Sequence, residues 1–376
     1  MEKGYCKAFL SGLIILLFSG ILQAKAQEEM FPSQPKKAVG VIIPLSGKWK
    51  SVGQKILQGI ELASKVFSDQ ETPKVEYLIR DYGSDDAQIA QIIEELDRVG
   101  RVLAIIGPIG GQAGEITCKQ AQQRNIPSFI FTQTGLSPLA GSYCFGNFLT
   151  IYTQTKTLLQ TARDMNITRF AILYPTDQFG DTFTKSFEQL APQYGVQIVK
   201  KMSYSPQMTD FKEVVKPLKG TQLEALLIPD TATNAAMITS YLTFFNINNV
   251  RLFGPSLWDT PDLVRLGGRN IQGAIFVSGF FMGSQNPMIQ GFTSSYNSTF
   301  GSNPTIWEAS AYDTAVILQN ILNEDIRTRY AVRQGIVSLK NYHGVTGVTS
   351  FTPEGLTRKD VFVLTVRGSS VIEFSP

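Results

Sequence analysis

Residues 38–66 read AVGVIIPLSGKWKSVGQKILQGIELASKV, an apolar strand pattern that leads directly into an amphipathic helix pattern. The strand part, Ala38–Pro44, is a run of β-branched and small apolar residues without a charge. Further on, Ile56, Ile60 and Ala63 recur every three to four residues, which is the period of one helix face. A strand followed by a helix is the repeating unit of a parallel sheet covered by helices. This stretch therefore predicts an α/β fold.

The same alternation continues along the chain and predicts two doubly wound parallel-sheet lobes. Further strands are predicted at Val75–Arg80, Val102–Ile106, Pro127–Phe131, Arg169–Pro175, Val196–Met202, Leu223–Pro229, Val250–Gly254 and Gly273–Ser278. The segment 287–320 has helical spacing, and the tail 347–373 has the pattern of strands. No flexible linker separates the halves, so we expect a multi-strand hinge. Residues 38–150 and 281–343 are assigned to lobe 1, and residues 151–280 and 344–376 to lobe 2.

The N-terminus has the features of a secretory signal peptide. Two lysines precede an uncharged apolar run, Phe9–Leu22, and Ala24-Lys25-Ala26 follows it. That order predicts cleavage after Ala26 and a periplasmic location, with residues 27–37 as a disordered leader. The apolar run is shorter than the roughly 20 residues of a spanning helix, although an uncleaved signal-anchor is the alternative. Because no cysteine stands at the cleavage point, we do not predict a lipoprotein.

Composition and charge exclude several partners. Hydrophobic residues make up 43% of the 376-residue chain and charged residues 17%, an ordinary globular composition. Removal of residues 1–26 leaves 31 basic and 30 acidic side chains. A balanced chain offers no clustered lysine and arginine for nucleic acid or for an anionic membrane. We therefore predict no nucleic-acid partner.

Cysteine and histidine content argues against a metal, a cofactor or a catalytic role. The one histidine, His343, lies in a turn-like stretch, so a Ser-His-Asp system is not predicted. Export would leave two cysteines, Cys118 and Cys144, which with one histidine do not make a zinc tetrahedron. In an oxidising compartment they would form a disulfide if their Cβ atoms lie within about 4.5 Å. Two buried thiols are the alternative.

Short motifs after the predicted strands resemble those of type I periplasmic binding proteins, the leucine/isoleucine/valine-binding family. The motifs are Ile43-Pro44-Leu45-Ser46-Gly47, Ile106-Gly107-Pro108, Ser137-Pro138, the stretch from Leu173 to Gly180, Phe253-Gly254-Pro255-Ser256 and the stretch from Glu308 to Asp313. Their order and spacing match the family from Ala38 to Glu373. The resemblance implies a monomer that closes around a small-molecule ligand without converting it, and that delivers the ligand to a membrane transporter permease.

Three other motifs resemble the family branch of penicillin-binding protein activators. These are Ile228-Pro229-Asp230, Gly279-Phe280-Phe281 and the stretch from Gly347 to Phe351. This resemblance implies a second hypothesis, a cell-envelope interaction protein that regulates a peptidoglycan synthase. A third hypothesis, an extracellular hydrolase, lacks a well-placed base, and we do not predict an enzyme.

The expected ligand differs from that of the amino-acid-binding members. Those members hold the ligand carboxylate with a pair of hydroxyls and its ammonium with an acidic residue, because a buried zwitterion needs both charges matched. By the family register the hydroxyl positions fall on Gly111 and Leu136, and the acidic position falls on Ser256. A branched-chain amino acid is therefore not the expected ligand, although Thr134, Ser137 and Asp230 could compensate.

Candidate ligand contacts lie beyond the carboxyl ends of the strands, where such sheets bind ligands. In the first lobe they are Ser46, Trp49, Gly110, Gly111, Thr132, Gln133 and Thr134, and in the second lobe Phe179, Asp230, Ser256 and Trp258. The glycines suggest a helix start that receives an anion through free N–H groups, or simply a tight turn.

Three aromatic candidates and one acid have two interpretations each. Trp49 would stack on the ligand or cover the end of the sheet. Phe179 would stack on the ligand or pack in the core, and Trp258 would contact the ligand or stand as an interlobe or surface aromatic. Asp230 would pair a cationic group or cap the following helix.

Overall fold

A computed structural model of the chain describes residues 37–64 and 75–375. The predicted signal peptide and the predicted leader up to residue 36 lie outside these ranges. Within them, no helix combines the length and the apolar character that a bilayer crossing requires. The described residues from Ala38 onwards form one compact unit, which contains the three sheets described below apart from Lys37 at the start of β1.

The first lobe is built on a five-stranded sheet in the order β2-β1-β3-β4-β5. Its strands are β1 (Lys37–Ile43), β2 (Val75–Asp81), β3 (Ala104–Ile109), β4 (Ser128–Phe131) and β5 (Cys144–Gly146). The pairs β1–β3, β3–β4 and β4–β5 are parallel. The intervening helices are α1 (Lys50–Ala63), α2 (Gln88–Arg98) and α3 (Gly111–Arg124). Because helices cover both faces, six of the seven residues of β1 are buried.

The second lobe is built on a seven-stranded sheet that starts at β6 (Arg169–Pro175). Its other strands are β7 (Gln197–Tyr204), β8 (Ala225–Leu227), β9 (Arg251–Gly254), β10 (Ile275–Ser278), β14 (Phe362–Arg367) and β15 (Ser370–Glu373). The order is β15-β14-β10-β9-β8-β6-β7, in which β6 to β10 are parallel and β14 and β15 are antiparallel additions.

Eight further helices pack on the sheets. They are α4 (Ile151–Asp164), α5 (Gln178–Leu190), α6 (Lys212–Val215), α7 (Ala232–Phe244), α8 (Pro261–Gly267), α9 (Pro287–Phe300), α10 (Ile306–Asn323) and α11 (Arg329–Ser338). Apolar residues of α4 lie in the core of the second lobe, whereas those of α10 and α11 lie in the core of the first. The α/β fold with two lobes of parallel strands is therefore confirmed.

A small third sheet lies beside the first lobe. It consists of β11 (Tyr342–Gly344), β12 (Gly347–Phe351) and β13 (Thr357–Lys359), paired antiparallel. Phe351 packs in the core of the first lobe, with its ring centroid 5.5 Å from that of Phe129 and 6.0 Å from that of Phe145. The β12–β13 hairpin thus packs on the first lobe, whereas the sequence-based assignment places residues 344–376 in lobe 2. The assignment of residues to the two lobes stays a prediction.

Three segments connect the two large sheets: residues 147–150, 279–286 and 360–361. A polar network joins the first of them, and the end of β13 just before the third, to α10. Asp313 on α10 accepts hydrogen bonds from the backbone N–H groups of Val345 and Thr346, both at 2.9 Å. The ammonium of Lys359 donates to the side-chain oxygen of Asn147 at 2.9 Å. The amide nitrogen of Asn147 donates in turn to Thr314 at 2.8 Å.

Burial sets the charge behaviour of this network. It raises the pKa of Asp313, against the opposing influence of Lys359 and of the hydrogen bonds from residues 345 and 346. It lowers the pKa of Lys359 to about 8, although the Asp313 carboxylate acts in the other direction. Burial therefore shifts the pKa of both Asp313 and Lys359 towards the neutral form of each side chain.

A disulfide joins Cys118 in α3 to Cys144 at the start of β5, with the two Cα atoms 5.3 Å apart. Since β5 has three residues and lies at the edge of its sheet, the bridge attaches a short edge strand to a neighbouring helix. The sequence had left open whether the two thiols pair.

Candidate functional site

The loop after β1 is fastened to the loop after β2. Asp81, the last residue of β2, accepts hydrogen bonds from the backbone N–H groups of Leu45 and Gly83, at 2.7 and 2.8 Å. Desolvation raises the pKa of Asp81, but hydrogen bonds from residues 83, 46 and 45 outweigh it and leave the pKa lowered. Asp81 therefore holds the loop that carries Ser46, whose side chain is one of its partners.

Trp49 lies at the end of this loop, immediately before α1, and 50% of its surface is exposed. The ammonium of Lys48 lies 5.3 Å from the centroid of its ring. A large aromatic ring that is half exposed at the carboxyl end of a central strand is available to a ligand.

A helix start and two hydroxyls meet after β3 and β4. Gly110 has a φ of 95°, and its N–H donates to the Phe131 carbonyl at 3.0 Å, so the start of α3 is held against the end of β4. A Cβ on Gly111 would lie 3.6 Å from the hydroxyl of Thr134. The Thr134 hydroxyl lies 2.9 Å from that of Thr132. The first-turn N–H groups of a helix and nearby hydroxyls are donors suited to a carboxylate.

Gln133 lies between these two threonines, and its carbonyl accepts the N–H of Ile151 at 2.7 Å. Because Ile151 is the first residue of α4, this bond joins the candidate site to the first connecting segment. The structure thus brings Gly110, Gly111, Thr132, Gln133 and Thr134 together at one edge of the first sheet.

In the second lobe, Phe179 stands in the first turn of α5 and is half-buried. Its ring packs against the lobe core, with the centroid 5.6 Å from that of Phe183. Asp177 caps this helix by accepting the N–H of Gly180 at 2.7 Å. Both interpretations of Phe179 remain compatible with this position, since one part of the ring is covered and the rest is exposed.

Asp230 is committed to internal hydrogen bonds. One carboxylate oxygen accepts the hydroxyl of Tyr204 at 2.6 Å and the amide of Asn234 at 2.8 Å, and the other accepts the backbone N–H of Thr231. Only 6% of Asp230 is exposed. Thr231, rather than Asp230, occupies the N-cap of α7. Burial, followed by the nearby Asp230 carboxylate, raises the pKa of Tyr204, which keeps its hydroxyl a donor.

Trp258 does not lie on a ligand-accessible surface, which corrects the expectation for this residue. The ring is fully buried in the core of the second lobe, and its N–H donates to the Asp230 carbonyl at 3.1 Å. It fits there because Gly254 has no side chain, since a Cβ on Gly254 would overlap the indole. Its burial also excludes the alternative of a surface aromatic.

Ser256 is half-buried, and its N–H donates to the side-chain oxygen of Gln154 on α4 at 2.9 Å. Two residues of this region escaped the sequence analysis. Tyr204 ends β7, so the rule that ligands bind beyond the carboxyl ends of strands would have found it. Gln154 lies in the first turn of α4, and nothing in the sequence marks it.

Asp259 is a further charged residue near the second-lobe candidates. Burial raises the pKa of Asp259, although a hydrogen bond from Ser278 opposes it. Within the described ranges, no hydrogen bond joins the candidate residues of one lobe to those of the other. In the same ranges, no cluster of three or more His, Cys, Asp or Glu side chains could hold a metal ion.

Several solved structures have the same fold as most of this chain. A substrate-binding protein of an ABC transporter from Desulfitobacterium hafniense in complex with leucine has a TM-score of 0.71 and 19% identity, covering 90% of this chain and 99% of that one. LivJ from Streptococcus pneumoniae in complex with isoleucine has a TM-score of 0.67 and 20% identity, covering 89% and 97%. A solute-binding protein from Rhodopseudomonas palustris in complex with 3,4-dihydroxybenzoic acid has a TM-score of 0.69 and 18% identity, covering 90% and 96%.

No curated protein matches the chain. The model of the periplasmic binding protein family matches residues 37–370. The family and the structural neighbours are substrate-binding proteins and not enzymes. The chain therefore belongs to the periplasmic binding protein family, in the type I group that the sequence motifs resembled.

Proposed function

We propose that this chain is the substrate-binding component of an ABC-type transporter, and that its ligand is a small carboxylic acid without an ammonium group. The observation that carries the proposal is the contrast between the two lobes. The first lobe presents donors that suit a carboxylate, whereas the acidic residue of the second lobe is occupied by its own neighbours.

The carboxylate would bind at the start of α3. There the backbone N–H groups at Gly111 adjoin the paired hydroxyls of Thr132 and Thr134, 2.9 Å apart. Such donors, together with the positive end of the helix dipole, favour an anion. These hydroxyls would take the place of the family's hydroxyl pair, whose positions are Gly111 and Leu136 in this sequence.

An ammonium group on the ligand would find no equally available partner among the candidate residues. Asp230 already accepts hydrogen bonds from Tyr204, Asn234 and Thr231. To pair a ligand ammonium it would have to give up at least one of these bonds, which costs free energy in a buried site. An uncompensated buried charge is unfavourable. The 3,4-dihydroxybenzoic acid bound by the Rhodopseudomonas palustris protein is an example of an acid without an ammonium.

Aromatic residues supply the apolar part of the site. Trp49 from the first lobe is half exposed, and Phe179 from the second lobe is partly exposed. Rings on opposite lobes would enclose an aromatic or apolar ligand body when the lobes approach. Contacts to both lobes stabilise the closed state, which is how the ligand would shift the hinge equilibrium. A monomeric protein exported by its signal peptide would then present the closed form to the permease.

The ligand class is tested by thermal unfolding of the purified protein with matched pairs of compounds. Benzoate and 3,4-dihydroxybenzoate are compared with phenylalanine and leucine at equal concentrations. Acids should raise the melting temperature, because a ligand that binds only the folded state stabilises it, and the two zwitterions should not. Thr134→Val should abolish the shift, whereas Thr299→Val, an exposed threonine on α9, should leave it unchanged. Larger shifts with leucine or phenylalanine would refute the proposed ligand class.

The second candidate is an envelope interaction protein of the penicillin-binding protein activator type. The internal bonding of Asp230, the lack of a hydroxyl side chain at Gly111 and Leu136, and the lack of an acidic side chain at Ser256 favour it, because a cleft without matched charges need not bind a solute. If no compound shifts the melting temperature, binding of the purified protein to a peptidoglycan synthase, measured by biolayer interferometry, decides whether this candidate holds.

A further inference from the structure

A groove of about 1530 Å³ lies between the first two turns of α4 and the β12–β13 hairpin. We call it the hinge groove. Most residues of five stretches line it: Thr132–Leu136, Gly146–Thr150, Tyr152–Thr157, Lys340–Asn341 and Val348–Val361. It shares Thr132 and Thr134 with the candidate cleft, but Trp49 and the second-lobe candidates Phe179, Asp230 and Ser256 are not among its lining residues. The groove therefore extends away from the cleft, with Thr132 and Thr134 at their junction.

Hydroxyl groups dominate the polar part of the hinge groove. Its lining includes Ser350 and the seven threonines Thr132, Thr134, Thr150, Thr153, Thr157, Thr352 and Thr357. Several are already oriented, since the hydroxyls of Thr150 and Thr153 lie 2.9 Å apart and Thr357 donates to the Gly146 carbonyl. A hydroxyl has one donor and two acceptor sites, so oriented hydroxyls keep capacity for a polyhydroxylated ligand.

The charge of the groove is positive. Four cationic residues, Lys156, Lys340, Arg358 and Lys359, face two acidic ones, Glu354 and Asp360. Lys156 and Arg358 are exposed, and neither lies within 4.0 Å of a carboxylate among the described residues. Lys156 stands on α4 and Arg358 on β13, so unpaired positive charge is present on both walls.

Lys359 adds a partly buried ammonium to the lining. It donates to Asn147 at 2.9 Å and to Thr349 at 3.2 Å. An ammonium has three N–H donors, which leaves one for a ligand. Because burial lowers the pKa of Lys359 to about 8, a nearby ligand anion would favour its charged form.

Exposed apolar surface completes the lining. Tyr152 on α4 is 58% exposed, and Leu356 at the hairpin tip is 40% exposed. An exposed tyrosine ring offers an apolar face beside a polar hydroxyl, which suits the mixed surface of a sugar ring.

We propose that the hinge groove binds an anionic oligosaccharide, a chain of hydroxylated rings that carries carboxylates. Oriented threonine hydroxyls match the ring hydroxyls, the cations on both walls match the carboxylates, and Tyr152 matches an apolar ring face. An acidic peptide fits less well, because peptide grooves rely on a free strand edge or on deep apolar pockets, whereas this lining is rich in hydroxyls. The volume exceeds the 300–1,000 Å³ of typical small-molecule pockets, as a chain of several sugar rings requires.

Isothermal titration calorimetry with the mature protein tests this proposal with three probes: tetragalacturonate, neutral maltotetraose and a tetraglutamate peptide. Tetragalacturonate should bind, and the other two should bind at least tenfold more weakly. The double variant Lys156→Glu/Arg358→Glu should weaken tetragalacturonate at least tenfold. The control Lys185→Glu/Lys216→Glu makes the same charge change at two exposed lysines of the second lobe and should keep wild-type affinity.

Each alternative outcome overturns the proposal. Equal binding of maltotetraose would exclude a role for charge, and equal or tighter binding of tetraglutamate would indicate a peptide groove. If the control variant weakens tetragalacturonate binding as much as the groove variant does, the attraction depends only on the net charge of the protein. If tetragalacturonate does not bind at all, the proposed ligand class is excluded. Trp49→Ala changes the candidate cleft but not the hinge groove, and it should leave tetragalacturonate binding intact. Failure of the groove proposal is therefore distinguishable from failure of the proposed transport function.

Discussion

At the scale of single residues, the carboxylate of Asp230 shows that an acidic residue at a strand end can serve the fold rather than a ligand. Its three donors, Tyr204, Asn234 and Thr231, satisfy a buried charge in the absence of any ligand. The sequence placed Asp230 correctly at the end of a strand. It could not reveal that a tyrosine 26 residues earlier would occupy the carboxylate, because that pairing depends on how two strands align.

Tyr204→Phe should therefore lower the stability of the protein even without ligand. Loss of a hydrogen bond to a buried carboxylate should reduce the free energy of unfolding by about 1.5–3 kcal/mol. Urea denaturation of the ligand-free variant and wild type measures this difference. A variant that keeps wild-type stability, and instead loses ligand affinity, would mean that Asp230 serves the ligand.

Lys359 predicts a pH dependence of stability at the hinge. Its pKa falls from the ordinary value of 10.5 to about 8 on folding, so between these values the unfolded chain binds more protons than the folded one. The free energy of unfolding must then rise with pH in this window. The destabilising contribution of Lys359 is fully present only below pH 8. From pH 7.5 to 9.5, wild type should gain about 1–2 kcal/mol relative to Lys359→Met.

Urea denaturation at the two pH values provides this comparison, with Lys185→Met as the control that should follow wild type. Titrating groups that do not interact with Lys359 cancel in the difference between wild type and variant. A difference that stays constant from pH 7.5 to 9.5 would show that Lys359 titrates alike in the folded and unfolded states.

At the scale of elements, the disulfide secures the weakest strand of the first sheet. β5 has three residues at a sheet edge, and the bridge closes a loop between positions 26 residues apart. Cys118→Ala/Cys144→Ala should lower the free energy of unfolding by about 3 kcal/mol, the size expected for a loop of this length. Chemical denaturation of the double variant measures the loss, and reduction of wild type with dithiothreitol should reproduce it. Unchanged stability would mean that packing alone holds β5.

The long strands of both sheets were predictable because their apolar runs are continuous. Ala38–Pro44 and Arg169–Pro175 were predicted close to the observed bounds of β1 and β6. β5 and β11, each of three residues, have too few positions for a period to emerge. Residues 287–320, whose spacing predicts helical structure, lie in two helices, since Pro304 precedes α10 and its capping box at Thr305 and Glu308 starts a new helix.

The candidate site was predictable only in part, because a sequence pattern locates the end of a strand but not the direction of each side chain there. Strand ends locate Thr132, Thr134 and Phe179, because the carboxyl ends of parallel strands meet at one edge. Whether a side chain there faces outwards depends on its packing partners. Trp258 is buried because Gly254 leaves room for its ring, and a loop tryptophan has the same sequence pattern in either orientation.

At the scale of the whole molecule, each lobe has its own core, and three segments connect the two large sheets. The first segment is bonded to α10 through Asn147, and Lys359, the residue before the third segment, is bonded to Asn147. The donors for a carboxylate stand on one lobe and Phe179 on the other. A ligand that contacts both would therefore be the element that favours closure.

Native mass spectrometry of the mature protein, purified without denaturation, tests this account most directly. We predict one small acid bound per chain, retained by Tyr330→Ala, which removes an exposed ring on α11, and lost in Trp49→Ala. A chain that has the ligand-free mass, and keeps it after incubation with benzoate and 3,4-dihydroxybenzoate, would contradict the account.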